Sequence, residues 1–469
     1  MSAVVITSPA IKYPLLPAQA NHGTYQMSRV LPQGQATVQL NASSQQECLI
    51  DLPNRVFNLA RSSLDFDLDI PAAGAGGTKR LLTVGQSAIE RMSLYTRSGV
   101  YLADITNCGI YTRCVTPYVT AHDDLQSSDK TQLATNETLA EATGKGFFNC
   151  ASRTTIADST ADSRSARRIV PTVGGTSDAD VAFNENQYYS QGAVASTSYL
   201  KCSVPLSEFH HTVLSLDKDL YFNQALVMRV SFAGTDKLGG ETASAVNALP
   251  ETVENLGAVI VRNIRLQLAI ESNREIADQV RGMVMTTGLS QIVPYVYPSL
   301  VTQGGSTEVS QQQRYNAGHG HSLLNIYTVT ANSKTSGVLS SDIANQNASQ
   351  KVLSYQASVD NNLLSEFRPL TAKLEGYVLQ RHLLEDSCIC NADVFRHNRV
   401  QINSWRAGKC VDWKRTDDVI DGLDLSAERI YNIDKTVSQA VPGTQYRHFI
   451  FAIVQRTMSI SPSGDVTMA

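Results

Sequence analysis

The chain has 469 residues, 42% of them apolar and 17% charged, with a net charge of −4 and a pI near 6.2. That length exceeds one ordinary core and suits two domains of about 200 residues each. The composition excludes a disordered chain, and the slightly acidic balance excludes a protein whose main task is neutralising phosphate.

The N-terminus lacks a basic n-region, and Pro9, Lys12 and Pro14 interrupt any apolar h-region, so no secretory signal peptide is expected. No apolar run reaches the ~20 residues of a membrane-spanning helix. The eight cysteines are scattered, and reduced, mostly buried thiols are the default outside a secretory route. Residues 1–40 hold no acidic side chain and four prolines, the composition of an extended arm that docks on something else.

The first module opens with Val38 and Leu40, then Cys48 and Ile50, and reaches a strand over 63–70. There Leu64, Phe66, Leu68 and Ile70 alternate with Ser63, Asp65, Asp67 and Asp69, the signature of a strand with one face on a core and one in water. Another strand is predicted through Ile89, Met92, Leu94 and Tyr95. The spacing of Ile105, Cys108, Tyr111, Cys114 and Val115 then predicts a short helix, capped by Asp104 and ended by Pro117. Residues 121–198 are rich in Ser, Thr, Asp, Ala and Gly and read as a surface elaboration. The module closes with a strand through Leu226, Met228, Val230 and Phe232, and residues 235–250 read as a linker.

A second alternating strand, with Ile264, Leu266, Leu268 and Ile270 on one face, is expected to open a second module on the same plan. A helical patch follows at Ile276, Val280 and Met283, then strands at 292–297 and 323–330. Residues 349–384 are helix-permissive, with a break at Pro369, and the closing strand runs from His448. Paired first and last strands in each module are the plan of a jelly roll.

Certain segments resemble the double jelly-roll major capsid proteins of double-stranded DNA viruses, in the polinton-like virus, virophage and adenovirus-hexon lineage. They are LPNRVFNLARSSLDFDL, the 105–117 helix, VPLSEFHHTVLSLDKDLYFNQALVMRVSF, VENLGAVIVRNIRLQLAIES, and the terminal DVIDGLDLSAERIYNID and YRHFIFAIVQRTMSISPSGDVTMA. The resemblance implies a small residue such as Gly after the first turn that follows Val204, where Phe209-His210-His211 stands instead. It implies an all-β chain of two tandem eight-stranded jelly-roll sandwiches, with short connecting helices and long loops. The expected division is an arm over 1–40, a first jelly roll over 41–234 with a loop insertion at about 121–198, a linker over 235–250 and a second jelly roll over 251–469. It further implies a homotrimer imitating a hexagon and packed in an icosahedral virion against neighbouring capsomers, penton and minor capsid proteins. The arm would bind neighbouring subunits, a minor capsid protein or an internal membrane, and no sequence-specific nucleic acid. A viral spike or carbohydrate-binding attachment protein is the alternative reading.

Chemical sites are weighed against this structural role. His319-Gly320-His321 has the spacing of cupin metal sites but lacks the following carboxylate. Cys388-Ile389-Cys390, with His382, His397 and Cys410, is tighter than a zinc knuckle. The pairs Asp123-Asp124 and Asp417-Asp418 have no positioned partner. Trp405 and Trp413, among Arg406, Lys409 and Lys414, suit a core or an interface better than base stacking. The expectation is therefore no catalytic residue, no metal, no cofactor and no enzyme.

Overall fold

The computed structural model describes residues 24–34, 36–41, 46–70, 78–82, 88–119, 188–191, 198–235, 239–242, 254–255, 258–303, 308–315, 322–333, 350–359, 362–363, 401–404, 423–424, 431–439 and 445–469. In chain order the first part contains β1 (Tyr25–Val30), β2 (Val38–Leu40), β3 (Gln46–Leu52), β4 (Phe57–Ile70), β5 (Thr78–Leu82), β6 (Ile89–Thr96), β7 (Tyr101–Thr106) and α1 (Cys108–Val119). There follow β8 (Tyr188–Gln191), β9 (Ser198–Pro205), the 3-10 turns η1 (Leu206–Glu208) and η2 (Val213–Ser215), β10 (Asp219–Leu220), β11 (Leu226–Phe232), β12 (Gly239–Thr242), β13 (Glu254–Asn255) and β14 (Val259–Glu271). After α2 (Arg274–Thr287) come β15 (Leu289–Gln303), β16 (Glu308–Tyr315), β17 (Ser322–Ser333), β18 (Gln350–Val359), β19 (Asn362–Leu363) and β20 (Gln401–Ser404). The chain ends with β21 (Leu423–Asp424), β22 (Tyr431–Gln439), β23 (Gln445–Ile460) and β24 (Val466–Met468).

Two sheets make the first sandwich. One runs β1–β14–β4, with β2 extending β1 along β14 and with β9 and β10 along the far side of β4; the other runs β3–β11–β6–β7. The second part repeats this order: β15–β23–β17 with β20 and β21 beyond it, and β16–β22–β18–β19. In each, the first strand pairs with the last, which is jelly-roll topology.

This order corrects the boundary read from the sequence. The strand over 263–271 does not open the second module; it closes the first. It pairs antiparallel with the other alternating strand, Leu266 opposite Leu64 and Arg265 opposite Asp65. Both strands alternate in the same way because they share one core. Their polar faces complete each other: Arg265 Nε lies 3.4 Å from Asp65 Oδ2, Arg262 Nε lies 2.5 Å from Asp69 Oδ2, and Asn263 Nδ2 donates to Asp67 Oδ2 at 2.6 Å. Asn263 sits at φ 54° where the register shifts between Arg262 and Arg265. That extra residue is a β-bulge, and Asn tolerates the left-handed conformation it needs. It keeps Val259 and Val261 on the same buried face as Ile264, Leu266 and Leu268.

Four other expectations change with it. Leu226–Phe232 lies between β3 and β6, so it is an interior strand and not the closing one. Within the supposed arm, β1 and β2 pair with β14, so only residues 1–23 remain of the arm, outside the described residues. Within the supposed linker, β12 joins β13, β5 and β8 in a small separate sheet, which gathers three of the first sandwich's connections at one end; residues 121–187 of the predicted loop lie outside the described residues. Finally, 350–359 is a strand paired with β22. A local apolar spacing of three or four was outweighed by a sheet neighbour about 80 residues away.

The core of the first sandwich is closed by Leu64, Phe66 and Leu68 of β4, Leu266 and Leu268 of β14 and Ile50, Met92 and Met228 of the opposite sheet. Phe66 meets Phe232 edge-on at 5.5 Å across it. Cys48, Cys108 and Cys202 are buried thiols, and burial pushes Cys48 up to about 12, with the Glu47 carboxylate adding to the shift. On β15, an outermost strand, Pro294 and Pro298 stand where a missing N–H leaves no sheet bond unmade.

The helix α2 joins the sandwiches. Asn273 caps it by accepting from Glu275 N, and Gly288 ends it at φ 76° with its N–H donated to Val284 O. A Cβ at Gly288 would lie 2.7 Å from Ile460 O. Gly288→Ala therefore meets both a left-handed backbone and a clash with β23, and is expected to destabilise the protein by about 2 kcal/mol. Urea unfolding checks this; a change under about 0.5 kcal/mol would show that the junction yields.

Candidate functional site

For a tandem sandwich the working feature is how the two halves are held and what faces they leave open. The contact between them is built from α1, η2 and β7 of the first sandwich and the β15–β23–β17 sheet of the second. The predicted helix is displaced by three residues from its expected start. Asp104 does not cap it; it stays in β7, taking Arg91 in a two-pronged pair at 2.7 Å and a bond from Ser93 Oγ. Asn107, at φ 54°, turns the chain instead, and its carbonyl accepts from Ile110 and Tyr111.

Tyr111 on α1 is the centre of the contact. Its ring meets Phe451 of β23 edge-on, with centroids 5.1 Å apart at 63°. Its hydroxyl donates to His210 O at 2.8 Å and lies 3.2 Å from His211 Nδ1. Burial, and secondarily Cys108, raises this hydroxyl well above the ordinary tyrosine range, so it stays protonated and able to donate. His211 in turn lies against Tyr327 of β17, centroids 5.7 Å apart. Tyr327 and Phe451 are register partners, so both rings stand on one face of the second sandwich's sheet.

His211 has φ 57°. It occupies the turn where the resemblance implies a small residue, and it holds a conformation natural to Gly. Its imidazole is what that strain retains: a ring that bridges Tyr111 and Tyr327 across the two sandwiches. Thr212 steadies the turn, donating to Phe209 O at 2.6 Å and accepting from Leu214 N. His210 Nε2 lies 3.6 Å from Glu208 Oε2, with both side chains buried. Further along the same face Phe449 and Ile453 are buried, in a single apolar cluster continuous with the first sandwich's core.

A second polar cluster fixes the start of β1. Tyr25 Oη donates to Asp219 Oδ1 at 2.8 Å, Asn58 Nδ2 to Asp217 Oδ1 at 2.8 Å, and Arg61 Nε to Asp217 at 2.9 Å while its guanidinium lies over the Tyr25 ring. Burial first, then the Asp219 bond, pushes Tyr25 up to about 12. Thr24 donates its N–H to Glu271 Oε1 and its carbonyl accepts from Ser272 N. The chain therefore enters the first sandwich beside the start of α2.

Each chemically suggestive residue of the sequence lies outside the described residues: His319, His321, His382, Cys388, Cys390, His397, Cys410, Asp123, Asp124, Asp417, Asp418, Trp405 and Trp413. Among the described residues no group of three or more His, Cys, Asp or Glu side chains could hold a metal ion, and no helix is long and apolar enough to cross a membrane. Sequence reasoning missed the contact residues Tyr111, His211, Tyr327 and Phe451 as a group. The one available signal was His211, standing where a small residue was expected.

These features define a chain of two jelly rolls fused through a buried aromatic contact. No family model and no curated protein matches the sequence. Among solved structures the chain is similar to VP54 of PBCV-1, fitted into a reconstruction of the virophage Sputnik. The TM-score is 0.52 at 9% identity, over 97% of this chain and 99% of that one. A quasi-atomic model of the PBCV-1 virus capsid matches equally, with TM-score 0.52, 9% identity and the same coverage. The mavirus major capsid protein aligns with a TM-score of 0.48 and 10% identity, over 100% of this chain and 96% of that one. The likeness at 0.52 spans both sandwiches and establishes the fold as a double jelly roll.

Proposed function

We propose that this chain is the major capsid protein of an icosahedral double-stranded DNA virus, three copies of which form a pseudo-hexagonal capsomer. One observation carries this reading: two sandwiches of identical strand order are locked side by side by a buried contact, over essentially the whole length shared with a viral capsid protein. A closed ring of three such pairs presents six similar units, so a three-fold oligomer can occupy a lattice position with six neighbours. The role is structural and not catalytic, and the protein resides in the virion. Its further partners are adjacent capsomers, penton proteins and minor capsid proteins. Residues 1–23 hold no acidic side chain and precede Thr24, which lies beside the start of α2; their composition suits an attachment to a minor protein or an internal membrane better than the packaging of a genome.

Sedimentation equilibrium of the purified chain tests this. The expected mass is near three times 51.0 kDa, with hexagonal outlines in negative stain. A species that stays monomeric at every accessible concentration would overturn the reading.

A further inference from the structure

The two sandwiches repeat one strand order, yet the same sheet face is treated in opposite ways. In the second sandwich the outer face of β15–β23–β17 carries Phe449, Phe451, Ile453 and Tyr327, all buried, with Tyr111 of α1 against Phe451 and His211 against Tyr327. In the first sandwich the outer face of β1–β14–β4 has no comparable apolar cover among the described residues; Ala269 and Glu271 are buried there, but Met27 and Arg29 of β1 stay exposed. Register places Arg29, Gln267 and Ser63 in one row across it, with Met27 beside Ala269 in the next and Arg265 beside Asp65 in another. Met27 is 50% exposed and Leu31, just past β1, 62% exposed.

We propose that this face of the first sandwich docks a second copy of the chain, which presents the β19 edge of its second sandwich. The inference rests on the capsomer reading in asking for a second copy; the choice of surface comes from the internal repeat. Inside one chain, the β7 edge of the first sandwich and the α1 that follows it lean on the sheet face of the second. That contact is heterologous, joining two different surfaces, and repeating a heterologous contact either closes a ring or runs on as a fibre. In the second sandwich β19 holds the position of β7, at the end of the corresponding sheet. The next step of the repeat therefore brings β19 of one copy onto β1–β14–β4 of another. The chemistry of the two faces fits their different histories. A face covered within its own chain as it folds can be largely apolar, with Asn325 beside Ile453 as a buried polar exception. A face that waits for another chain must stay soluble until then, and here ion pairs and hydroxyls surround two isolated apolar side chains.

The test uses the full chain. In M27E/L31E two outward side chains become carboxylates, with no buried group removed. In the control M283E/M285E the exposed methionines in the second half of α2 are changed in the same way. Sedimentation over a range of concentrations should show M27E/L31E dissociating at a concentration at least tenfold higher than wild type, with an unchanged circular dichroism spectrum, while the control assembles as wild type does. A second measurement does not depend on a disruptive change. R29C/N362C, oxidised, should give chain-to-chain crosslinks ending at three chains on a denaturing gel, which neither single variant gives. If wild type is a trimer, and M27E/L31E assembles as tightly or R29C/N362C fails to crosslink between chains, this surface is wrong and the capsomer reading stands. A wild-type monomer would instead remove the capsomer reading itself.

Discussion

Phe451→Ala is expected to lower the unfolding free energy by about 3–5 kcal/mol, the range for emptying a fully buried phenylalanine site. The ring is 1% exposed and sits at the junction of the two sandwiches, edge-on to Tyr111. Its removal opens a cavity bounded by elements from both halves, so the loss should appear as uncoupling as well as weakening. Calorimetry of the purified chain checks this: the variant should unfold in two separated transitions if wild type unfolds in one. The partner variant Tyr111→Phe keeps the aromatic contact and removes the hydroxyl that donates to His210 O. It leaves a buried acceptor without that donor and should lose about 1–3 kcal/mol. A cycle of Phe451→Ala and Tyr111→Ala should give a coupling near 1 kcal/mol. Strictly additive losses would mean that the two rings touch without holding the sandwiches together.

The alternating strands show what a sequence can and cannot disclose here. Alternation at 63–70 and 263–271 marks each as a half-buried strand, and both are. Period two says nothing of which strand lies alongside, because pairing is decided by contacts 200 residues apart. A further signal was present in the polar faces. Asp65, Asp67 and Asp69 on one strand and Arg262, Asn263 and Arg265 on the other have complementary charge and hydrogen-bonding chemistry, as neighbours in one sheet would. Taken together, those faces place the strands side by side and move the end of the first jelly roll to Glu271. The left-handed His211 was legible as an anomaly, while its purpose was not, since Tyr327 lies 116 positions away. Residues 350–359 misled in the opposite direction. Val352 and Tyr355 are spaced as on a helix, but the unpaired edge of β22 supplied hydrogen bonds that a helix there would have forgone.

The pairing of those two strands yields the second large effect, at Asp69. Its carboxylate is buried, and Arg262 closes on it from the more exposed side, Nε to Oδ2 at 2.5 Å. Arg262→Leu removes the cation and leaves a buried carboxylate without its counter-charge. The expected loss is about 3 kcal/mol, at the low end for breaking a buried pair because the guanidinium is half in water. Asp69→Asn alone leaves an amide that the guanidinium can still meet through the side-chain oxygen, and should lose about 1 kcal/mol. The two changes together should be less damaging than Arg262→Leu alone, because the buried charge is then gone. That reversal separates an ion pair that the fold requires from one that merely decorates the surface. Urea unfolding of the four proteins at pH 7 measures it. If Arg262→Leu changes stability by under about 0.5 kcal/mol, the pair belongs with ordinary exposed salt bridges. The joining of 63–70 to 263–271 would then rest on the shared core of Leu64, Phe66, Leu68, Leu266 and Leu268 alone.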